Sequence, residues 1–399
     1  MARLLSFLVF VSIAILVLGG MHAFLWARLV RDTGIPEPWR RIATALLALA
    51  ALTIPAALVL SRRAGTALAR VLPWVAFVWL GVAFLALSVL LAIDLARLVA
   101  SGAAQLRDWL ARADDPPADP ARRLFVARAV AGTTLAVVAT AAGAGVRSAA
   151  GPAEIVEVPV RLPRLPRALD GLSVVQITDL HVGPTVRRRE VERVVEQANA
   201  LRPDVVAITG DLVDGTVSEL GEIVARLGQL RARYGVHFVT GNHEYFSGVD
   251  EWLRFLPGMG IRVLRNERVP IGDAGASLDL AGVDDWHAGR YGNGHGYDLG
   301  RALAGRDPDR ALVLLAHQPL GVEPGVRQGV GLQLSGHTHG GQIFPFNLAV
   351  HAAFRYVRGL YPIDGGAGHV YVSKGTGYWG PPMRLGAPPE IARITLIAG

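Results

Sequence analysis

The chain has 399 residues, of which 51% are hydrophobic and only 18% are charged, and its mean hydropathy is +0.36. These values exclude intrinsic disorder and are too apolar for an ordinary soluble enzyme. The absence of Cys excludes disulfides, thiolate nucleophiles and iron–sulfur clusters, so any metal site must use His, Asp, Glu or Asn. The net charge is +7, and because many arginines flank apolar runs we attribute it to a membrane rather than to a nucleic-acid partner.

The first part of the chain predicts a transmembrane anchor of about four helices over residues 1–147. A helix that crosses a bilayer needs about 20 apolar residues. Four runs reach that length: Leu4–Trp26, Ile42–Leu60, Val71–Ile93 and Leu124–Val146. The first run is too long for the apolar part of a signal peptide and no clear cleavage pattern follows it, so we expect an uncleaved helix. No run has an acidic residue in its interior, which favours an anchor over a transporter.

The distribution of arginines predicts the orientation in the membrane. The loops after the first and third runs hold nine arginines, and the opposite side holds five, or eight if Arg161, Arg164 and Arg167 are included. The positive-inside rule therefore places the C-terminal part outside the cytoplasm, by a small margin. The pair Arg122-Arg123 before the fourth run is either a signal for export of folded protein or an ordinary pair of flanking arginines.

Residues 148–172 predict a linker and a lead-in strand, and residues 173–399 a domain in which short apolar strands alternate with helices. Three stretches have helical spacing: Arg188–Ala200, Ser218–Arg233 and Val249–Leu256. The predicted strands are Val174–Thr178, Val205–Thr209, His237–Thr240, Leu278–Val283, Leu312–Ala316, Leu332–Ser335, Val370–Ser373 and Ile394–Ile397. Alternation of this kind predicts an α/β layered domain.

Residue types that bind metals follow five of these strands. They are Asp179 and His181, then Asp211, then Asn242 with His243, then His317, and finally His337 with His339. Loops at the carboxyl ends of strands in α/β sheets converge on one crevice, so the five groups together point to a site, although one Asp-x-His alone would not. Asp211 follows a glycine that permits close approach and is the natural bridge between two ions. Two divalent ions about 3.5–4 Å apart generate hydroxide at neutral pH and hold both oxygens of a phosphoryl transfer.

Four blocks carry a resemblance to the calcineurin-like metallophosphoesterases: Asp179-Leu180-His181, Gly210-Asp211-Leu212-Val213-Asp214, Gly241-Asn242-His243-Glu244 and Gly336-His337-Thr338-His339. Gly340-Gly341-Gln342 and the tail Gly380-Pro381-Pro382-Met383-Arg384 resemble the membrane-anchored bacterial subgroup of that family. The resemblance runs from about Val158 to the end and leaves the membrane helices outside. It implies an α/β fold with a sandwich of two β-sheets flanked by helices.

The resemblance also implies a dinuclear centre. Asp179, His181, Asp211 and His339 would surround one ion, and Asp211, Asn242, His317 and His337 the other. His243 would be catalytic, contacting the phosphoryl oxygen or protonating the leaving alkoxide. The two divalent ions could be Mn, Fe or Zn, all of which suit mixed His and carboxylate ligation. Substrate-binding residues are not identified by the sequence.

These expectations combine into a membrane-anchored phosphoesterase that hydrolyses phosphomonoester, phosphodiester or pyrophosphate bonds by attack of a metal-bridging hydroxide. The anchor favours an envelope or lipid-linked substrate, with membrane lipids as partners and no nucleic acid. One alternative is a cytoplasm-facing pyrophosphatase of UDP-diacylglucosamine type in lipid A synthesis. The other is a non-catalytic, metal-stabilised binding module.

Several further residues are open to two interpretations. Glu244 either orients His243 or lies on the surface, and Arg384 is a weaker candidate for binding an anion near the site. His295 lies in a glycine-rich loop and is expected to be solvated. Five aromatic residues are expected to pack in the core, with an apolar rim for a lipid substrate as the alternative: Trp286, Phe344, Phe346, Tyr378 and Trp379.

Overall fold

The computed structural model describes residues 2–60, 67–111 and 119–399. The chain divides into two compact units, Met1–Val146 and Arg147–Gly399.

Helices α1 to α4 of the N-terminal part are each long and apolar enough to cross a membrane, which confirms the predicted four-helix region. They are α1 (Ala2–Trp26), α2 (Trp39–Leu60), α3 (Ala67–Ala111) and α4 (Pro120–Ala150), and α1 continues as one π-helical turn, Ala27–Arg31. α3 has 45 residues and is longer than the predicted run Val71–Ile93, because the helix continues through the more polar sequence that follows. Three arginines that enter the arginine count lie outside the described residues: Arg62, Arg63 and Arg112.

Polar side chains make contacts between the helices of the N-terminal unit. His22 of α1 is 8% exposed, and its Nε2 accepts a hydrogen bond of 3.0 Å from Trp79 of α3. Arg28 pairs with Asp94, which directly follows the third apolar run but still belongs to α3. In an apolar surrounding, charged and polar side chains lack water as a hydrogen-bond partner. Contacts of this kind therefore hold neighbouring helices in a fixed position relative to one another.

The C-terminal unit contains two six-stranded sheets, which confirms the predicted double-sheet α/β fold. The strands are β1 (Glu154–Leu162), β2 (Ser173–Ile177), β3 (Val205–Ile208), β4 (Val236–Phe238), β5 (Ile261–Val263), β6 (Glu267–Asp273), β7 (Ala276–Gly282), β8 (Leu312–Leu315), β9 (Leu332–Ser335), β10 (Gly359–Ile363), β11 (Gly368–Val372) and β12 (Glu390–Ala398). The first sheet has the order β1-β12-β2-β3-β4-β5, and the second has the order β10-β11-β9-β8-β7-β6.

Seven helices accompany the sheets: α5 (Arg188–Ala200), α6 (Val217–Val224), α7 (Asn242–Phe246), α8 (Val249–Phe255), α9 (Leu299–Leu303), α10 (Val322–Arg327) and α11 (Phe346–Ala353). α5 has the predicted bounds. The second predicted helix is shorter than expected, because α6 gives way to a 3-10 turn at Ala225–Gln229.

The alternation of side chains along the strands explains the layers. In β2, Val174 packs into the core between the two sheets, whereas Val175 and Ile177 pack against helices on the outer face. Successive side chains of a strand point to opposite faces, so strands buried on both faces read as continuous apolar runs. The result is a sandwich with helices covering its outer faces.

Three strands were not predicted from the sequence: β5, β6 and β10. Both β6 and β10 lie at an edge of the second sheet, and each contains a proline, Pro270 and Pro362. Proline removes a hydrogen-bond donor, so it weakens the strand pattern in a sequence but is tolerated at an edge. β5 has only three residues and ends the first sheet.

Candidate metal centre

The predicted metal ligands come together at the carboxyl ends of the strands. β2, β3 and β4 are parallel neighbours in the first sheet, and β8 and β9 are parallel neighbours in the second. Three groups of side chains each have ligand atoms within 4.8 Å of one another: Asp179, His181 and His339; His181, Asp211 and His243; and Asp211, His317 and His337. Because His181 and Asp211 each belong to two groups, the three form one continuous cluster.

Asp211 lies at the centre of this cluster. Its Oδ2 is 3.2 Å from His317 Nε2 and 3.8 Å from His181 Nε2. On the far side of His181, the Nε2 atoms of His181 and His339 are 3.1 Å apart. One carboxylate oxygen therefore faces histidines of both predicted metal positions, as a bridging ligand requires.

The backbone around the cluster is held in an uncommon conformation. Five of the predicted ligands have a positive φ: Asp179, His181, Asp211, His337 and His339, with values between 50° and 72°. Residues other than glycine adopt this left-handed region at a cost of about 1–2 kcal/mol each, and such strain persists only where surrounding contacts enforce it.

Glu244 supplies part of that enforcement. Its side chain is buried, and its carboxylate accepts hydrogen bonds from the backbone N–H groups of Asp211, Leu212 and Gly241 at 3.0, 2.7 and 2.6 Å. Burial and the neighbouring Asp211 raise the pKa of Glu244 to about 7. Both sequence interpretations were wrong, because Glu244 is not on the surface and it binds the loop backbone rather than the ring of His243.

The donor set fits divalent metal ions. The buried Asn242 Oδ1 has no hydrogen-bond partner in the part of the chain that the structure describes, so an oxygen ligand is available there. His317 Nδ1 lies 2.8 Å from the Thr209 carbonyl oxygen, which leaves Nε2 directed at Asp211. Burial and His317 lower the pKa of His337 to about 3, and burial and Arg384 lower the pKa of His339. Neutral imidazoles of this kind are the form that binds metal. Burial lowers the pKa values of His181 and His317, but the nearby Asp214 and Asp211 outweigh burial and raise them, so these two must release a proton to bind.

Asp214 joins the cluster to His243, a role that was not predicted from the sequence. Its Oδ1 is 3.0 Å from His181 Nδ1 and 2.7 Å from His243 Nδ1. Burial raises the pKa of Asp214, but the two histidines outweigh burial and hold it well below its usual range. The carboxylate thus orients both rings. Its only sequence signal is its position three residues after Asp211.

Arg384 is buried rather than open to an anion, which argues against the anion-binding role that the sequence offered as a weaker possibility. Its guanidinium donates to the carbonyl oxygens of Gly377, His339 and Lys374, and Nη2 lies 3.1 Å from His339 Nδ1. Burial lowers its pKa to about 10. Arg384 therefore ties the C-terminal tail to the loop that carries His339.

Of the five aromatic residues that were expected to pack in the core, only Tyr378 is buried. Tyr378 is buried and its hydroxyl donates to the Thr185 carbonyl, as expected. The other four are between 40% and 56% exposed: Trp286, Phe344, Phe346 and Trp379. His295 was expected to be solvated, but it is 8% exposed and lies 3.1 Å from Asp250.

A sequence model of the calcineurin-like phosphoesterases matches residues 172–341. The chain is 42% identical to a transmembrane protein with metallophosphoesterase domain from Bos taurus, over 74% of this chain and 68% of that protein. A protein of the same name from Danio rerio is 41% identical, over 66% of this chain and 62% of its own length. A metallophosphoesterase of Aquifex aeolicus is 35% identical, over 59% of this chain and 89% of its own length. The chain thus spans about two thirds of the length of the two vertebrate relatives.

These similarities extend the resemblance in two respects. The relatives include eukaryotic transmembrane proteins, so the likeness is not restricted to a bacterial subgroup. The alignment with the bovine protein covers a larger share of this chain than the unit Arg147–Gly399 contains, and it therefore reaches into the N-terminal helices. The expectation that the membrane helices lie outside the resemblance was therefore wrong for at least α4.

Proposed function

The chain belongs to the calcineurin-like metallophosphoesterase family, and from this premise we propose that it is a membrane-anchored phosphoester hydrolase with a dinuclear metal centre. The observation that carries the proposal is the convergence of the predicted ligand side chains around Asp211, next to a buried and unpartnered Asn242 Oδ1. Asp179, His181, Asp211 and His339 would hold one ion, and Asp211, Asn242, His317 and His337 the other.

The bound ions would supply a hydroxide nucleophile at neutral pH and neutralise charge on the phosphoryl oxygens. The contribution of the protein is to place groups around them. His243 lies beside Asp211, with its Nε2 3.9 Å from the Asp211 carboxylate, while Asp214 holds Nδ1. Held in this way, Nε2 of His243 is directed toward the centre and can protonate the oxygen of the leaving group.

We propose an envelope or lipid-linked phosphoester as the substrate, because the chain carries four helices suited to a membrane in addition to the catalytic unit. The arginine distribution supports an extracytoplasmic position of that unit. The alternative is a pyrophosphatase of UDP-diacylglucosamine type, which requires the cytoplasmic side. Protease accessibility of a C-terminal tag, in intact and in lysed cells, separates the two. Cleavage in intact cells, after permeabilisation of the outer membrane where there is one, supports export. Protection until lysis under the same conditions assigns the unit to the cytoplasm and favours the alternative.

Hydrolysis itself is tested with the full chain in lipid nanodiscs, using Mn²⁺ and bis(p-nitrophenyl) phosphate. His243→Ala is expected to retain metal binding and to lose about 10²–10⁴-fold in rate, the usual contribution of general acid–base catalysis. The matched control is His351→Ala, because His351 is exposed on α11 and only bonds the Asn347 carbonyl. A chain that binds Mn²⁺ but hydrolyses neither this diester nor p-nitrophenyl phosphate would instead be a metal-stabilised binding module.

A further inference from the structure

The exposed apolar side chains of the C-terminal unit are concentrated around the metal centre. The structure describes all of the unit Arg147–Gly399, in which nine large apolar side chains are at least 37% exposed. Two of them, Ile155 and Leu360, lie on the edge strands β1 and β10. The other seven form what we call the apolar rim: Phe246, Trp286, Tyr291, Phe344, Phe346, Leu348 and Trp379. Clusters of exposed apolar residues in soluble domains mark binding surfaces.

Several rim residues follow the predicted metal ligands, or residues in contact with their neighbours, closely along the chain. Phe246 follows His243 by one turn of α7. After His339 come Phe344, just before α11, and Phe346 and Leu348 in the first turn of α11. Trp286 comes directly after Asp285, a buried carboxylate that accepts hydrogen bonds from Gln318, the residue after His317. Rim residues therefore belong to loops that begin at both halves of the centre.

Two rim residues flank the ring of His243. The ring centroid of His243 is 5.4 Å from that of Phe246 and 5.8 Å from that of Trp379, both in edge-to-face arrangements. Tyr291 extends the same surface, with its ring 6.2 Å from that of Phe246. The side of the centre where His243 would act on a leaving group is consequently lined by aromatic rings.

Trp379 is held in this position by a specific contact. The Gln342 side chain is 9% exposed, and it accepts a hydrogen bond from the Trp379 backbone N–H at 3.0 Å and donates to its carbonyl oxygen at 2.8 Å. Gln342 itself has a positive φ of 49°, which is unfavourable for a residue with a side chain. The two hydrogen bonds with Gln342 fix the backbone of Trp379, so its exposed ring is held beside His243 rather than free to swing away.

We propose that the apolar rim binds a long alkyl chain on the leaving group of the substrate, so that the enzyme selects amphiphilic phosphoesters. This inference rests on the proposed function. Hydrolysis breaks the bond between phosphorus and the chain-bearing oxygen, water supplies the hydroxyl group that phosphorus gains, and a proton from His243 goes to the departing oxygen. A nucleobase would need one or two stacking rings, whereas the succession of Trp379, Phe246 and Tyr291 beside His243 suits an extended chain.

The test measures binding of ethyl, butyl and hexyl phosphate by calorimetry, with the full Mn²⁺-loaded chain in nanodiscs and empty nanodiscs subtracted. A fully buried methylene strengthens binding by about fourfold. If even half of the four methylenes that separate ethyl from hexyl phosphate are buried, the dissociation constant falls by about tenfold or more. Trp379→Ser and Phe246→Ser are expected to remove most of this gain.

Leu360→Ser and Ile155→Ser serve as matched controls, since each removes an exposed apolar side chain outside the rim, and both should keep the gain. A dissociation constant that does not change with chain length in the unsubstituted protein overturns the proposal, as does a gain that survives both rim substitutions. Tighter binding of AMP than of hexyl phosphate would also overturn it and assign the rim to a base. Chain-length dependence without any phosphoester hydrolysis would contradict the proposed function but not the rim.

Discussion

Gly210 offers a sharp test of how the metal centre is built. It precedes Asp211 and has a φ of +86°. A Cβ atom at this position would lie 2.5 Å from the Gly241 backbone nitrogen and 2.9 Å from His317 Nδ1, whereas ordinary contacts begin at 3.4 Å. Since protein interiors are close-packed, Gly210→Ala must separate the two loops by roughly 1 Å.

That displacement acts on ligands of both predicted ions. A misplacement of about 1 Å costs on the order of 10²-fold in rate, and disturbing the groups that support metal ligands costs about 10–100-fold in metal affinity. The positive φ adds about 1–2 kcal/mol of strain to the folded state. We therefore expect Gly210→Ala to bind Mn²⁺ at least tenfold more weakly and to hydrolyse bis(p-nitrophenyl) phosphate about 100-fold more slowly.

Gly171→Ala is the matched control for backbone strain. Gly171 has the same φ of +86°, but a Cβ there would meet nothing within 4 Å. This variant should lose thermal stability and keep its Mn²⁺ affinity, measured by calorimetry on the full chain in nanodiscs. Equal losses of metal affinity in both variants would refute the reasoning, because strain rather than the close approach of the two loops would then explain them.

Three other substitutions test individual side chains. Asp214→Asn keeps the shape but removes the charge that orients the His181 and His243 rings, so kcat should fall by about 10–100-fold, and an unchanged kcat would contradict this role. Arg384→Lys leaves buried carbonyl groups unpaired, which should cost about 2–4 kcal/mol and lower the thermal midpoint measured by calorimetry; an unaltered midpoint would show that the buried network is not stabilising. Burial lowers the pKa of His237 below its ordinary value of 6.5, so the unfolded chain binds the proton more readily, and stability should decline as the pH falls below about 6.5 by up to ~1.4 kcal/mol per pH unit. Because burial also lowers the pKa of His337 and of His339, His237→Asn should make the fall of the thermal midpoint between pH 7 and 5 less steep without abolishing it, and an equally steep pH profile in the variant would exclude a contribution from His237.

Local patterns in the chain were sufficient to predict the membrane helices, nine of the twelve strands and the α/β class. The reason is that burial on both faces of a parallel strand requires continuous apolar residues, and a membrane helix requires a long apolar run. The ligand types after β2, β3, β4, β8 and β9 were also visible, because loops at the carboxyl ends of parallel strands must meet. Edge strands with proline, such as β6 and β10, lacked this pattern.

The roles of Asp214, Glu244 and Arg384 were decided only by the tertiary structure. Asp214 meets His181 across 33 residues of chain, and Arg384 meets His339 across 45. Neither contact is accompanied by a repeating pattern in the nearby sequence, because each depends on how two loops pack once the sheets have formed. The exposure of Trp379 was also decided by tertiary structure. From the sequence alone an aromatic residue fits a core and an exposed rim equally well, and only the hydrogen bond to Gln342 shows where Trp379 is held. The sequence by itself therefore determined which chemical groups reach the site, and packing determined which of them hold the others in place.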